Sequence, residues 1–135
     1  MSKIDIEYGL KNEMAILELL TTHFGPTIRK TTDKYSTFDF QGENIMIELK
    51  SRRNSSELYP TTMIGNRKII CASDSINKNI KYYYVFKFTD KIMYCEYNEL
   101  DFKSFVVKRS GRKDRGRIET DDYCYIPIDY LIDLI

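Results

Sequence analysis

Asp39, Glu48 and Lys50 stand at a spacing that could do chemistry. Mg²⁺ prefers hard oxygen ligands and keeps several of its own waters, so one or two carboxylates plus a backbone carbonyl suffice to hold it. An ion so held activates water and neutralises the charge that develops on a phosphate during hydrolysis. An ammonium two residues beyond Glu48 can orient the attacking water or stabilise the anionic transition state. The set therefore suits phosphodiester hydrolysis. The same residues also suit a charged strand face turned to solvent, with Asp39 as a turn residue.

Which elements would bring them together? In residues 44–50 (NIMIELK), Ile45, Ile47 and Leu49 alternate with Met46, Glu48 and Lys50. That alternation predicts a strand with one apolar face and one face projecting Glu48 and Lys50, about 6.6 Å apart along it. Residues 35–40 predict a preceding strand, and Gly42 in the turn at 41–44 (QGEN) joins the two as a hairpin. Asp39, at the end of the first strand, then meets Glu48 across the hairpin. Leu49 points away but offers its backbone carbonyl as a ligand.

Upstream, Ile6, Leu10, Met14, Leu17 and Leu20 recur at three- and four-residue spacing and predict an amphipathic helix over residues 4–24, ending at Gly25-Pro26. Residues 27–31 read as a first strand. Residues 51–60 are polar and loop-like. Residues 61–80 stay ambiguous: Met63, Ile64, Arg67, Ile70 and Cys71 suit a helix, while Gly65 and the β-branched residues weaken it. Residues 82–88 and 91–97 form a second hairpin, 102–108 a further strand, 123–126 a last strand and 129–135 a short terminal helix. The order predicts an α/β (equally α+β) domain with a mixed sheet.

The 135 residues fit one compact domain over 1–135, and 30% charged against 42% hydrophobic residues is an ordinary balance for a soluble chain. A net charge of +1 gives no global attraction for nucleic acid. Any such face must come from local clustering, and residues 108–117 (KRSGRKDRGR) supply it, with Asp114 as their one acid. That segment reads as a mobile basic loop. Cys71, Cys95 and Cys124 show no CxxC pairing, and His23 is the single histidine, so neither a zinc site nor a disulfide framework is supported. The start of the sequence has no apolar signal-like region and no apolar run reaches membrane length, so the expectation is an intracellular protein, cytoplasmic or nuclear.

The run at 39–50 (DFQGENIMIELK) resembles the signature of the PD-(D/E)XK nuclease superfamily: an acid, a short hairpin, then Glu-X-Lys on the next strand. The resemblance implies a restriction-endonuclease-like αβββαβ core, a mixed central sheet flanked by helices, over about residues 5–97. It implies metal binding by Asp39 and Glu48 with Mg²⁺, or Mn²⁺ as a substitute, and assistance to water by Lys50. Residues 9–13 (GLKNE) supply Gly9 and Glu13, matching a helix Glu that touches the metal shell in many members; a solvated helical Glu is the other reading. Phe38 stands where the family often has Pro.

Small chains with this pattern look most like Holliday-junction resolvases or compact phage, viral or mobile-element endonucleases, implying DNA more than RNA as substrate. A resolvase cuts two strands symmetrically, which implies a homodimer. Arg52 and Arg53 could grip phosphate, as could Arg67 and Lys68 on a second helix and Arg112, Lys113, Arg115 and Arg117 in the basic loop. Each of these also suits a solvated surface. Two other functions remain open: a catalytically inactive nucleic-acid-binding or interaction module of this fold, and an RNA-directed nuclease.

Overall fold

The computed structural model describes residues 8–32, 38–74, 79–112 and 119–134, with 8–13, 110–112 and 119–120 as backbone only. The first helix, α1 (Tyr8–Phe24), is followed by β1 (Arg29–Lys30), β2 (Phe40–Gly42), β3 (Ile45–Ser51) and β4 (Thr61–Gly65). Then come α2 (Asn66–Asp74), β5 (Lys81–Lys87), β6 (Ile92–Glu96), α3 (Glu99–Lys103), β7 (Val106–Arg112), β8 (Glu119–Pro127), a 3₁₀ turn (Ile128–Tyr130) and β9 (Ile132–Asp133). The central sheet is mixed, in the order β1-β2-β3-β5-β6-β9, and a second sheet runs β4-β8-β7.

β3 is the pivot. It pairs antiparallel with β2 and parallel with β5, so Glu48 lies beside Tyr84 and Lys50 beside Phe86. Its apolar face meets α1: Ile16, Leu20, Phe40, Ile47 and Val85 form one core cluster. Removing a side chain such as Leu20 or Ile47 from water stabilises the fold by ~1.5–3 kcal/mol. On the sheet's other face, Tyr82, Tyr84 and Phe86 pack with Ile64 of β4, Ala72 of α2 and Cys124 and Ile126 of β8. Glu48 lies on that covered face. The two sheets thus share one apolar cluster.

Local chemistry explains the junctions. Gly25 adopts a φ of 125° and its N–H bonds the Thr21 carbonyl, ending α1 as a glycine cap does. In the β2–β3 turn Asn44 takes a φ of 59°, which Asn tolerates better than most side chains. A Cβ on Gly42 would stand 2.7 Å from Ile28 Cδ1 and 2.9 Å from Thr27 Oγ1, so those side chains would have to shift to admit one.

Several expected elements differ. The strand over 27–31 contracts to Arg29–Lys30, and β2 begins only at Phe40; residues 35–37 of the expected strand lie outside the described residues. The ambiguous stretch 61–80 contains both a strand and a helix, β4 running directly into α2. The expected strand at 102–108 starts instead as α3, because Asn98 caps it by accepting the Asp101 N–H through its side chain. Residues 108–112 of the expected basic loop are strand, held against β8 from Val106↔Tyr125 to Arg112↔Glu119. The expected terminal helix at 129–135 is a 3₁₀ turn followed by β9, which pairs with β6.

Candidate active site

The hairpin register pairs Phe40 with Ile47 and Gly42 with Ile45. Asp39 directly precedes this ladder, and its charge lies close enough to act on Glu48. The Asp39 N–H bonds the Ile47 carbonyl at 3.0 Å, and its own carbonyl accepts the Thr31 N–H at 2.9 Å. Its carboxylate is aimed at β3: Oδ2 accepts the Leu49 N–H at 2.9 Å. Along a strand the N–H and C=O of one residue point to the same edge. The Leu49 carbonyl therefore points to the edge that carries the Asp39 carboxylate.

Glu48 is 2% exposed, an unusual depth for a carboxylate. Lys50 Nζ stands 3.3 Å from its Oε2, and Lys68 Nζ, from the first turn of α2, stands 3.3 Å from its Oε1. Oε1 nevertheless accepts no hydrogen bond of acceptable geometry among the described residues. Burial, and next the Asp39 charge, push the Glu48 carboxyl above its ordinary value, while Lys68 and Lys50 pull it back. Desolvation wins. Lys50 differs from Glu48 in being 38% exposed at its side chain, so its ammonium bridges the buried carboxylate and the solvent.

α2 is placed by two contacts that sequence reasoning did not find. The buried Tyr84 hydroxyl donates to the Lys68 carbonyl at 2.9 Å, and the Lys68 ammonium lies 5.5 Å from the centre of the Phe38 ring. Phe38, the departure from the family's usual Pro, thus forms a platform under Lys68. Only the tyrosine-rich 82–84 stretch hinted at such a donor, and its packing role explains the same residues.

The other candidates separate cleanly. Arg52 is built into the scaffold: Nε donates to Thr62 Oγ1 at 3.3 Å, Nη2 donates to the Met63 carbonyl, and the guanidinium lies over Phe86. Arg53 and Arg67 are exposed. Glu13 falls within α1, but its side chain lies outside the described residues, as does that of Arg112 in β7. Lys113, Arg115 and Arg117 lie wholly outside them. His23 packs edge-on against Phe24 and Tyr94. Cys71, Cys95 and Cys124 are free thiols, and burial pushes Cys124 up to about 11 and Cys95 higher still.

Does this set fit a divalent cation? Among the described residues no group of three or more His, Cys, Asp or Glu side chains gathers. Mg²⁺ does not require one. Asp39 and Glu48 carboxylates with the Leu49 carbonyl are all hard oxygens, and Glu48 Oε1, faced by the Lys68 ammonium at 3.3 Å, accepts no hydrogen bond of acceptable geometry among the described residues. The residues fit.

A family model described as a phage putative PDDEXK endonuclease matches residues 6–132. The chain belongs to that family. Its fold is accordingly restriction-endonuclease-like, and it is similar in structure to Hjc, a Holliday junction resolvase from the archaeal hyperthermophile Archaeoglobus fulgidus. That similarity has a TM-score of 0.54 at 11% sequence identity and covers 90% of this chain and 95% of the resolvase chain. At so low an identity the likeness speaks to fold alone. A search of curated proteins finds no match. No helix among the described residues is long and apolar enough to cross a membrane.

Proposed function

We propose that this endonuclease-family chain hydrolyses DNA phosphodiester bonds with Mg²⁺, for which Mn²⁺ would substitute. Asp39, Glu48 and the Leu49 carbonyl would hold the ion, with Glu13 as a further candidate from α1. One observation carries the reading: a carboxylate 2% exposed feels the charge of a second carboxylate, Asp39, and is flanked by two ammonium groups. Lys50 and Lys68 offset part of the cost of burying that charge, and a divalent cation held by both acids would offset more of it. When bound, Mg²⁺ supplies Lewis acidity and a more acidic bound water.

The chain's own residues do the rest. Lys50, partly exposed beside Glu48, orients the attacking water and faces the charge that builds on the phosphate. Lys68 fixes the other oxygen of Glu48 and adds a second positive charge on the α2 side. Arg53 and Arg67, both exposed, would meet flanking phosphates, and the basic residues of 112–117 would add to that grip. A symmetric cut at a four-way junction would need two copies of the site and hence a homodimer.

The decisive experiment incubates purified protein with labelled single-stranded, duplex, flap and four-way-junction DNA and with RNA. Each is run with Mg²⁺, Mn²⁺ or EDTA. Cleavage of DNA that needs the metal and is lost in Asp39→Asn, Glu48→Gln and Lys50→Ala supports the reading. Binding with no cleavage under any condition makes the chain an inactive module, and cleavage of RNA alone makes it a ribonuclease.

A further inference from the structure

A cavity of about 340 Å³ is lined by Arg52, Asn54, Tyr59, Thr62, Met63 and Tyr125 among others. Its place in the fold follows from β3. Glu48, Lys50 and Arg52 alternate with residues of the opposite face, so Arg52 continues the row of the candidate site about 6.6 Å past Lys50. The Arg52 guanidinium, held by Thr62 and Met63, is therefore a wall shared between site and cavity. The opposite wall is the second sheet, where Met63 and Tyr125 are direct cross-strand partners.

The lining is chemically mixed. Tyr59 and Tyr125 offer ring faces, Asn54 and Thr62 offer hydrogen-bonding groups, and Arg52 gives the lining a cation. Lys108, outside the lining, holds its ammonium 5.2 Å from the Tyr125 ring centre. Tyr59 is 57% exposed, and next to it Leu58 is 59% exposed. Among the described residues, the Tyr59 ring has no stacking, cation or hydrogen-bond partner. A large amphipathic ring held at the rim of a polar cavity, on a segment stiffened by Pro60, suits a planar ligand with polar edges near a negative charge. A nucleobase attached to its phosphate has that chemistry.

We propose that this cavity receives a single unstacked nucleotide adjacent to the phosphate held at Asp39, Glu48 and Lys50, with Tyr59 stacking on its base. The inference rests on the proposed nuclease reading and names its substrate class: nucleic acid carrying an unpaired or easily extruded nucleotide beside the cut. Extrusion costs least where the base is already unpaired, so bulges, flaps and junction arms are preferred over continuous duplex.

The test reads binding, not cleavage, and so stands apart from the metal question. Oligonucleotides carrying 2-aminopurine at a bulge, and matched fully paired duplexes, are titrated with wild type, Tyr59→Ala and Tyr59→Phe in EDTA. Binding of the bulged probe is expected to change the 2-aminopurine emission. Tyr59→Ala should weaken that binding about tenfold, as loss of one base–aromatic stack does, and leave the paired duplex within about twofold. Tyr59→Phe should restore it. Equal losses on both probes, or none on the bulged probe, would overturn the proposal. Wild-type protein that binds the bulge as proposed but cuts nothing with Mg²⁺ would instead overturn the nuclease reading. Tyr59 is exposed, so folding is not at stake in these variants.

Discussion

Lys68 places its ammonium 3.3 Å from Glu48 Oε1, on the carboxylate oxygen that Lys50 does not pair with. A helix and a strand are therefore joined through one buried charge. Lys68→Ala should lower the single-turnover cleavage rate about a hundredfold at saturating DNA, the scale set by losing one well-placed cation or donor. Arg67→Ala, its exposed neighbour, should lower affinity and leave that rate nearly intact. A larger rate loss in Arg67→Ala would reverse these assignments.

Tyr84 holds the same helix from below, donating its hydroxyl to the Lys68 carbonyl. Tyr84→Phe keeps the buried ring and deletes only the hydroxyl. It should cost about 1 kcal/mol in denaturant unfolding. It should also lower the cleavage rate several-fold with little change in KM, because Lys68 is less firmly placed. An unchanged rate would show that α2 positions Lys68 without this bond.

Glu48 gives a pH prediction with a definite sign. Burial first, and then Asp39, raise its carboxyl above the ordinary 4.5. A carboxyl raised on folding contributes stability fully below its unfolded pKa and loses it as pH rises through the folded value. Metal-free wild type should therefore lose stability relative to Glu48→Gln as pH climbs from about 4.5 towards 8. Thermal melts in EDTA across that range check this, the two curves converging at the acid end. Added Mg²⁺ should then raise the Tm of wild type and leave Glu48→Gln nearly unmoved. A variant less stable than wild type at every pH would mean that the lysine pairs outweigh desolvation.

The site's spine was legible because strand alternation is a strong local signal. Ile45, Ile47 and Leu49 against Glu48 and Lys50 fix both faces of β3 from seven residues, and Gly42 marks the hairpin. Lys68 was named from the sequence, but as a surface grip on phosphate; its contact with Glu48 depends on how α2 crosses β3, and no local pattern encodes that. The scaffold contacts of Arg52 were hidden for the same reason, since its partners Thr62 and Met63 lie on a strand within an ambiguous stretch. Residues 108–112 looked like loop because like charges cluster there. The pairing acid is across the ribbon: Asp122 lies opposite Arg109 and within 3.4 Å of it. The C-terminal Ile132 and Asp133 read as helical until β6 supplied an edge for them.

For the basic segment, the combined neutralisation of Arg112, Lys113, Arg115 and Arg117 is expected to weaken DNA binding similarly across sequences, because phosphate contacts position without reading bases. Each lost contact should flatten the slope of log affinity against log salt by roughly 0.9 on a duplex. Titrations at several salt concentrations on a junction and a linear duplex measure this. An unchanged slope would shift the phosphate grip to Arg53, Arg67 and Lys68.

The parallel pairing of β3 with β5 has a consequence for how the molecule acquires its reactivity. β2 and β3 can close early as a hairpin, bringing Asp39 to the Leu49 N–H through a short turn. The partners that complete the surroundings of Glu48 arrive only after the chain has travelled through β4 and α2 and returned, with Ile45 meeting Lys81 and Glu48 meeting Tyr84. Such non-local pairing is slow to form compared with a hairpin. A growing or partly folded chain therefore displays its two acids without Lys68 or the Tyr84 anchor. Hydrolytic competence should emerge with the last tertiary contacts and not with the first, so that refolding followed by fluorescence and by cleavage would show activity lagging behind hairpin formation.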